Sequence, residues 1–201
     1  MVRHLGFGET AAPAREPYLL LERLYGHDLR ALLDERGALP FAAAFAVAGD
    51  VAAALAHVHR AGIVHLDVKP ENVFVHLDGG VARAKLLDFG VAHRIHDEPP
   101  AGSAGTPLYA SPEQLRGAAV GPASDVFAWG LLLWELCTGA RFGAADEGSE
   151  PWLRARAAGH LPEPTAELPE PWQGILRRAL APAAEQRFPS GAALVDALPI
   201  A

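Results

Sequence analysis

The sequence predicts an α+β fold, with a small β-sheet at the start followed by a body that is mostly helical. Three observations carry this expectation. Two short apolar segments, Val2 to Gly8 and Tyr18 to Arg23, are separated by Ala-Ala-Pro-Ala-Arg-Glu-Pro, a composition that breaks regular structure. From Leu29 onward, apolar residues recur mainly at helical spacing. With 201 residues, half of them apolar, the chain is long enough for one buried core and too short for two large domains.

The two N-terminal segments are expected to form antiparallel strands. Leu29, Leu32 and Leu33 mark a helix that ends at Gly37, and Phe41, Phe45, Ala48, Val51, Ala52, Leu55 and Val58 mark one face of a longer one. Short β segments at Val73 to His76 and Ala84 to Leu87 flank Asp78-Gly79-Gly80, a strong turn signal. The Gly-, Pro- and Ser-rich stretch from His93 to Ala123 reads as a long ordered loop. An apolar helix is expected from Ser124 to Cys137, and a loop-rich region from Glu147 to Pro171 surrounds a short helix at Trp152 to Ala158. Helices at Trp172 to Ala181 and Ser190 to Leu198 close the chain.

Composition excludes several classes of function. The net charge of -7, with no basic cluster, argues against a nucleic-acid partner. The N-terminus lacks secretory-signal features, and the longest apolar run, Val126 to Trp134, is too short to span a bilayer, so a soluble, cytoplasmic chain with no membrane partner is expected. The single cysteine, Cys137, excludes an internal disulfide and reads as a buried small hydrophobe. Fifteen arginines against two lysines, amid abundant Ala, Gly and Pro, point to a GC-rich bacterial gene.

The chemistry is concentrated in His65-Leu66-Asp67-Val68-Lys69-Pro70-Glu71-Asn72 and, downstream, Asp88-Phe89-Gly90. Phosphoryl transfer asks a protein for positioning and charge neutralisation more than for covalent chemistry. Asp67 suits the role of proton acceptor for an incoming hydroxyl, and Lys69 that of a cation against the transferring phosphate. Asn72 and Asp88 offer the hard oxygen ligands that Mg²⁺ prefers, and Gly90 lets the backbone turn after the second of them. Each residue alone is explained as well by a surface charge or a turn; the combination carries the reading.

These motifs resemble a protein kinase domain of the Ser/Thr type, in its bacterial Hanks-type form. The resemblance implies a protein kinase-like fold with a mostly α-helical C-lobe, residues 27–201, and a remnant of the N-lobe β-sheet, residues 1–26, covering the last two strands and the hinge. It implies ATP and Mg²⁺ as cofactors and a protein substrate presenting Ser or Thr. On it, Asp67 is the catalytic aspartate, Lys69 and Asn72 complete the catalytic loop, and Asp88 opens the Mg²⁺-binding motif with Phe89 and Gly90. His65 is a packed residue of the catalytic loop. Gly105-Thr106 and Ser111-Pro112-Glu113 resemble the end of a Ser/Thr-type activation segment, with Glu113 pairing Arg187 and Asp125 bracing the catalytic loop. Upstream, Tyr18 to Leu24 resembles the hinge strand: Leu21 as gatekeeper, the backbones of Glu22 and Leu24 against the adenine, and Phe74 beneath it.

The chain also departs from that pattern. A kinase anchors the α- and β-phosphates with a third-strand lysine under a glycine-rich loop. Of the two lysines, Lys69 belongs to the catalytic loop and Lys85 lies three residues before Asp88, so neither is that anchor. Gly6-Phe7-Gly8-Glu9-Thr10-Ala11 mimics the glycine-rich loop but stands too close to Tyr18 to be one, and is read as a hairpin end. Leu66 replaces the arginine that reads an activation-segment phosphate, which weighs against such regulation; Ser103 and Thr106 are the candidate phosphosites, with loop former and substrate positioning as their respective alternatives. His57-x-His59 and His93-x-x-His96 lack the further ligands of a zinc site.

Three readings follow: an active Ser/Thr kinase, a kinase-like binding module, or a chain whose N-lobe continues upstream of Met1. A lone hairpin would leave Leu19, Leu20 and Leu21 half uncovered and invite a partner there.

Overall fold

The computed structural model describes residues 2–11, 13, 15–95, 106–142, 149–161 and 168–199. Strands β1 (His4–Glu9) and β2 (Pro17–Leu21) form an antiparallel hairpin in which Gly8 faces Tyr18 and Glu9 faces Pro17, with a bulge between His4 and Gly6. The Gly6–Gly8 segment is therefore part of a strand. Leu19, Leu20 and Leu21 are 66, 53 and 48 % exposed.

Beyond the hairpin, β3 (His27–Asp28) leads into α1 (Leu29–Arg36). Asp28 caps that helix by accepting from the Ala31 amide at 2.8 Å, and Gly37, at φ 70°, ends it in a conformation that a side chain would strain. Helix α2 (Phe41–Arg60) buries Ala44, Val47, Ala48, Val51, Ala52 and Leu55. By length and composition it could cross a membrane. In this fold it is instead a core helix, and its Asp50 accepts from Arg83 and from the Ala84 amide.

Strand β4 (Ile63–Val64) follows, then β5 (Val73–Asp78) and β6 (Val81–Leu86), which pair across Gly79 and Gly80. Both glycines have positive φ, 57° and 84°, as a two-residue turn of this twist requires. β3 adds to the other side of β5, giving a three-stranded sheet that packs on α2.

The stretch from His93 to Ala123 is more regular than its composition suggests. Strand β7 (His93–Arg94) pairs with β4, and α3 (Pro112–Leu115) starts at a capping box between Ser111 and Gln114. A two-residue strand carries no periodicity to read, and a four-residue helix carries only its cap. The intervening residues 96–105, with His96, Ser103 and Gly105, lie outside the described residues.

Helix α4 (Pro122–Thr138) is apolar almost all round and runs through the centre, with Val126, Phe127, Trp129, Leu132, Leu133 and Leu136 fully buried. Trp129 donates its indole N–H to the Ala48 carbonyl at 2.8 Å, tying α4 to α2. The short α5 (Glu150–Ala157), α6 (Trp172–Ala179) and α7 (Gly191–Ala197) complete the body. Helix α7 crosses α2 so closely that a Cβ on Gly191 would lie 2.3 Å from the Ala56 amide nitrogen.

Candidate active site

The site starts from Asp125 in the first turn of α4, only 1 % exposed. One carboxylate oxygen accepts from the Leu66 amide at 2.7 Å; the other accepts from the His65 amide at 2.7 Å and from His59 Nε2 at 2.9 Å. Gln114 donates to the Leu66 carbonyl at 3.0 Å. With both backbone groups held, Leu66 sits at φ 64°, a region that residues other than glycine rarely occupy. Its side chain is buried, so an apolar group fills the place where the resemblance expects an arginine.

His65 is fully buried. Its Nε2 lies 2.9 Å from the Leu87 carbonyl, which can only accept, so Nε2 carries the proton and Nδ1 receives the Asp67 amide at 3.3 Å. Both ring nitrogens are engaged, and the ring meets Phe89 edge-on at 4.8 Å. His65 thereby joins the loop of Asp67 to the strand that runs into Asp88.

Three side chains converge on Asp67. Thr106 donates its amide and hydroxyl to Oδ1 at 2.9 and 2.8 Å. Lys69 Nζ lies 2.7 Å from Oδ2 and also donates to the Thr106 hydroxyl at 2.6 Å. Asn72 Nδ2 donates to Oδ2 at 2.9 Å and to the Asp67 carbonyl at 2.8 Å. Burial pushes the Asp67 carboxyl up, but the bonds from Lys69 and Thr106 outweigh it and hold the group below its ordinary range. Asp67 is an ionised acceptor at neutral pH.

Asn72 closes a short 3₁₀ turn, Pro70–Asn72. Because its amide nitrogen serves Asp67, its side-chain oxygen is left for another partner. Asp88 is exposed at φ 54° and accepts from the Gly90 amide at 2.9 Å rather than contacting Asn72. A Cβ on Gly90 would stand 3.0 Å from that carboxylate. Among the described residues, no group of three or more His, Cys, Asp and Glu could hold a metal by itself. One amide oxygen and one carboxylate fit Mg²⁺, which retains waters and takes phosphate oxygens to complete its shell.

Leu21 ends β2, and the Glu22 amide donates to the Arg3 carbonyl at 2.9 Å. The Glu22 carboxylate accepts from Lys85 Nζ at 2.6 Å and from the Arg3 amide at 2.6 Å, and the Lys85 bond, foremost, holds its carboxyl below the ordinary range. Leu24 and Phe74 are half-buried, and Phe74 stands opposite Lys85 in the β5–β6 register.

Away from this cluster, Arg187 and Glu113 form a buried two-pronged ion pair at 2.7 and 3.0 Å. Burial opposes the Glu113 charge, but Arg187 more than compensates and the carboxyl lies below its ordinary range. Burial pushes the Cys137 thiol up to about 12. Sequence reasoning leaves Thr106 between two roles and takes His59 as a helix end. His59 in fact accepts from the Gly191 amide at 2.8 Å and contacts Asp125. The available signal was its place on the stripe Ala48, Ala52, Leu55, because a histidine on a buried stripe needs partners.

The protein kinase domain family matches residues 3–193. The serine/threonine-protein kinase PknL of Mycobacterium tuberculosis is 44 % identical over 128 residues, covering 62 % of this chain and 31 % of that protein. Serine/threonine-protein kinase Pkn1 of Myxococcus xanthus is 36 % identical over 203 residues, covering 97 % and 29 %, and a probable PknB of Bifidobacterium longum is 33 % identical over 192 residues, covering 90 % and 27 %. The chain thus spans under a third of the length of these relatives. With the match running from the hairpin to the start of α7, the chain belongs to the protein kinase domain family, among the bacterial Hanks-type Ser/Thr kinases.

Proposed function

We propose that this chain carries the catalytic half of a cytoplasmic Ser/Thr protein kinase site, moving the γ-phosphate of Mg·ATP to a protein hydroxyl. The observation that carries this reading is the convergence of Lys69, Thr106 and Asn72 on the ionised Asp67 carboxylate. Asp67 accepts the hydroxyl proton as the oxygen attacks, Lys69 stands beside the phosphate, and Thr106 fixes the orientation of both. Asn72 and Asp88 would hold Mg²⁺, which supplies charge neutralisation to the phosphates when bound. Leu21 is the gatekeeper, the Glu22 and Leu24 backbones meet the adenine, and Phe74 lies beneath it. Residues 1–26 serve as the N-lobe remnant and 27–201 as the C-lobe.

Two features support a second reading, a docking module with little catalysis. Lys85 is paired with Glu22, so neither lysine is placed as a phosphate anchor. The exposed face of Leu5, Phe7, Leu19 and Leu21 suits a partner that covers the hairpin.

The two readings separate in a phosphate-transfer assay with labelled ATP and Mg²⁺, comparing the chain with Asp67→Asn and Asp88→Asn. Transfer that disappears in both variants supports the kinase. Transfer that survives both sinks it, and absence of transfer alongside stable partner binding supports the module.

A further inference from the structure

Lys85 is outside the motifs that define the site, yet its side chain makes the sole ion pair between the hairpin and the body among the described residues. It sits on β6, in register with Phe74 on β5, and reaches Glu22 Oε1 at 2.6 Å across 63 residues of sequence. The same oxygen receives the Arg3 amide at 2.6 Å, and the Glu22 amide returns to the Arg3 carbonyl at 2.9 Å. One carboxylate thus fastens three pieces: β6, the start of β1 and the segment after β2. Among the described residues, the other polar link nearby is a long one, from the Val2 amide to the Leu86 carbonyl at 3.4 Å. With β2 exposed along its whole length, packing does little to set the hairpin's distance from β5.

We propose that Lys85 is a positioning residue for the nucleotide: by holding Glu22, it fixes the height of the Glu22–Leu24 backbone above Phe74 and so sets adenine affinity. This rests on the adenine-site reading above. Lys85 touches neither the nucleotide nor the reacting atoms. Releasing the tether widens the range of hinge positions, so nucleotide binding weakens while chemistry in the bound state is unchanged.

The test compares the chain with Lys85→Met, Lys85→Arg, Glu22→Gln and the Lys85→Met/Glu22→Gln double variant. Mg·ATP affinity is measured by titration calorimetry, and amide hydrogen exchange is followed over residues 18–25. Lys85→Met loses one solvent-accessible ion pair and is expected to weaken Mg·ATP roughly three- to fivefold. It raises KM for ATP without lowering kcat and speeds hinge exchange. Lys85→Arg restores affinity to within about twofold, and the double variant is no worse than either single one, as for two ends of one interaction. Unchanged affinity and unchanged hinge exchange in Lys85→Met would overturn the proposal, as would an additive double variant. If the unsubstituted chain binds no Mg·ATP, the nucleotide-site reading fails. Hinge exchange then decides the tether by itself: acceleration in Lys85→Met upholds it and no change refutes it.

Discussion

Arg187→Met should unfold the C-terminal half of this fold more readily than any loss of buried area explains. The guanidinium is fully buried and, besides Glu113, donates to the carbonyls of Ala123, Ala181 and Pro182 at 3.1, 2.7 and 2.9 Å, with Phe127 beneath it at 4.8 Å. Methionine fills much of the volume but replaces none of these bonds. Three carbonyls lose a donor, and among the described residues Glu113 keeps Ser124, at 2.7 Å, as its charge-stabilising side-chain partner. Removing one partner of a buried pair costs about 3–5 kcal/mol, because the cost includes the charge left behind. Against a total stability of roughly 5–15 kcal/mol this is about a fifth or more, and it corresponds to a Tm lower by about 6–20 °C. Urea unfolding followed by tryptophan fluorescence measures it. The double variant Arg187→Met/Glu113→Gln should recover part of the loss, since the uncompensated carboxylate is then gone. The sign with pH follows from the depressed Glu113 carboxyl. Its contribution is fully present above the unfolded carboxylate range and fades as pH falls through the lower folded value, so Glu113→Gln should flatten the acid limb of Tm against pH. A loss below about 1 kcal/mol in Arg187→Met, or strict additivity in the double variant, would refute the reasoning.

Thr106→Val removes the hydroxyl that donates to Asp67 and accepts from Lys69, so the Asp67 carboxyl rises toward its ordinary range. Single-turnover phosphate transfer should fall roughly tenfold, the acid limb of its pH profile should move to higher pH, and Thr106→Ser should restore both. Gly191→Ala places a methyl group 2.3 Å from the Ala56 amide nitrogen and 2.6 Å from the Leu55 carbonyl carbon, atoms of backbone that cannot rotate away. Despite alanine's better helix propensity, urea unfolding should show a net loss of about 1–3 kcal/mol.

The helices were largely legible because their apolar residues repeat at the spacing that buries one face, as in α2 from Phe41 to Arg60. The turn at Gly79 and Gly80 was legible because it needs two residues at positive φ. Strand β7 and helix α3 were not, since two and four residues offer no period. The exposure of Leu19 to Leu21 follows from the pairing, because a two-stranded hairpin does not cover its own face.

For the candidate site, the sequence by itself determined which residue types lie close along the chain: Asp67, Lys69 and Asn72 within one loop, and Asp88 with Gly90. Contiguity places such groups together whatever the rest of the fold does. Tertiary structure decided the environment of each. Thr106 reaches Asp67 from 39 positions away, Asp125 holds the Leu66 amide from 59, and Lys85 meets Glu22 from 63. These bonds form only after α4, the 106–110 segment and the β5–β6 sheet pack around the loop. Only that packing decides whether Asp67 is a solvated surface charge or an oriented, ionised acceptor.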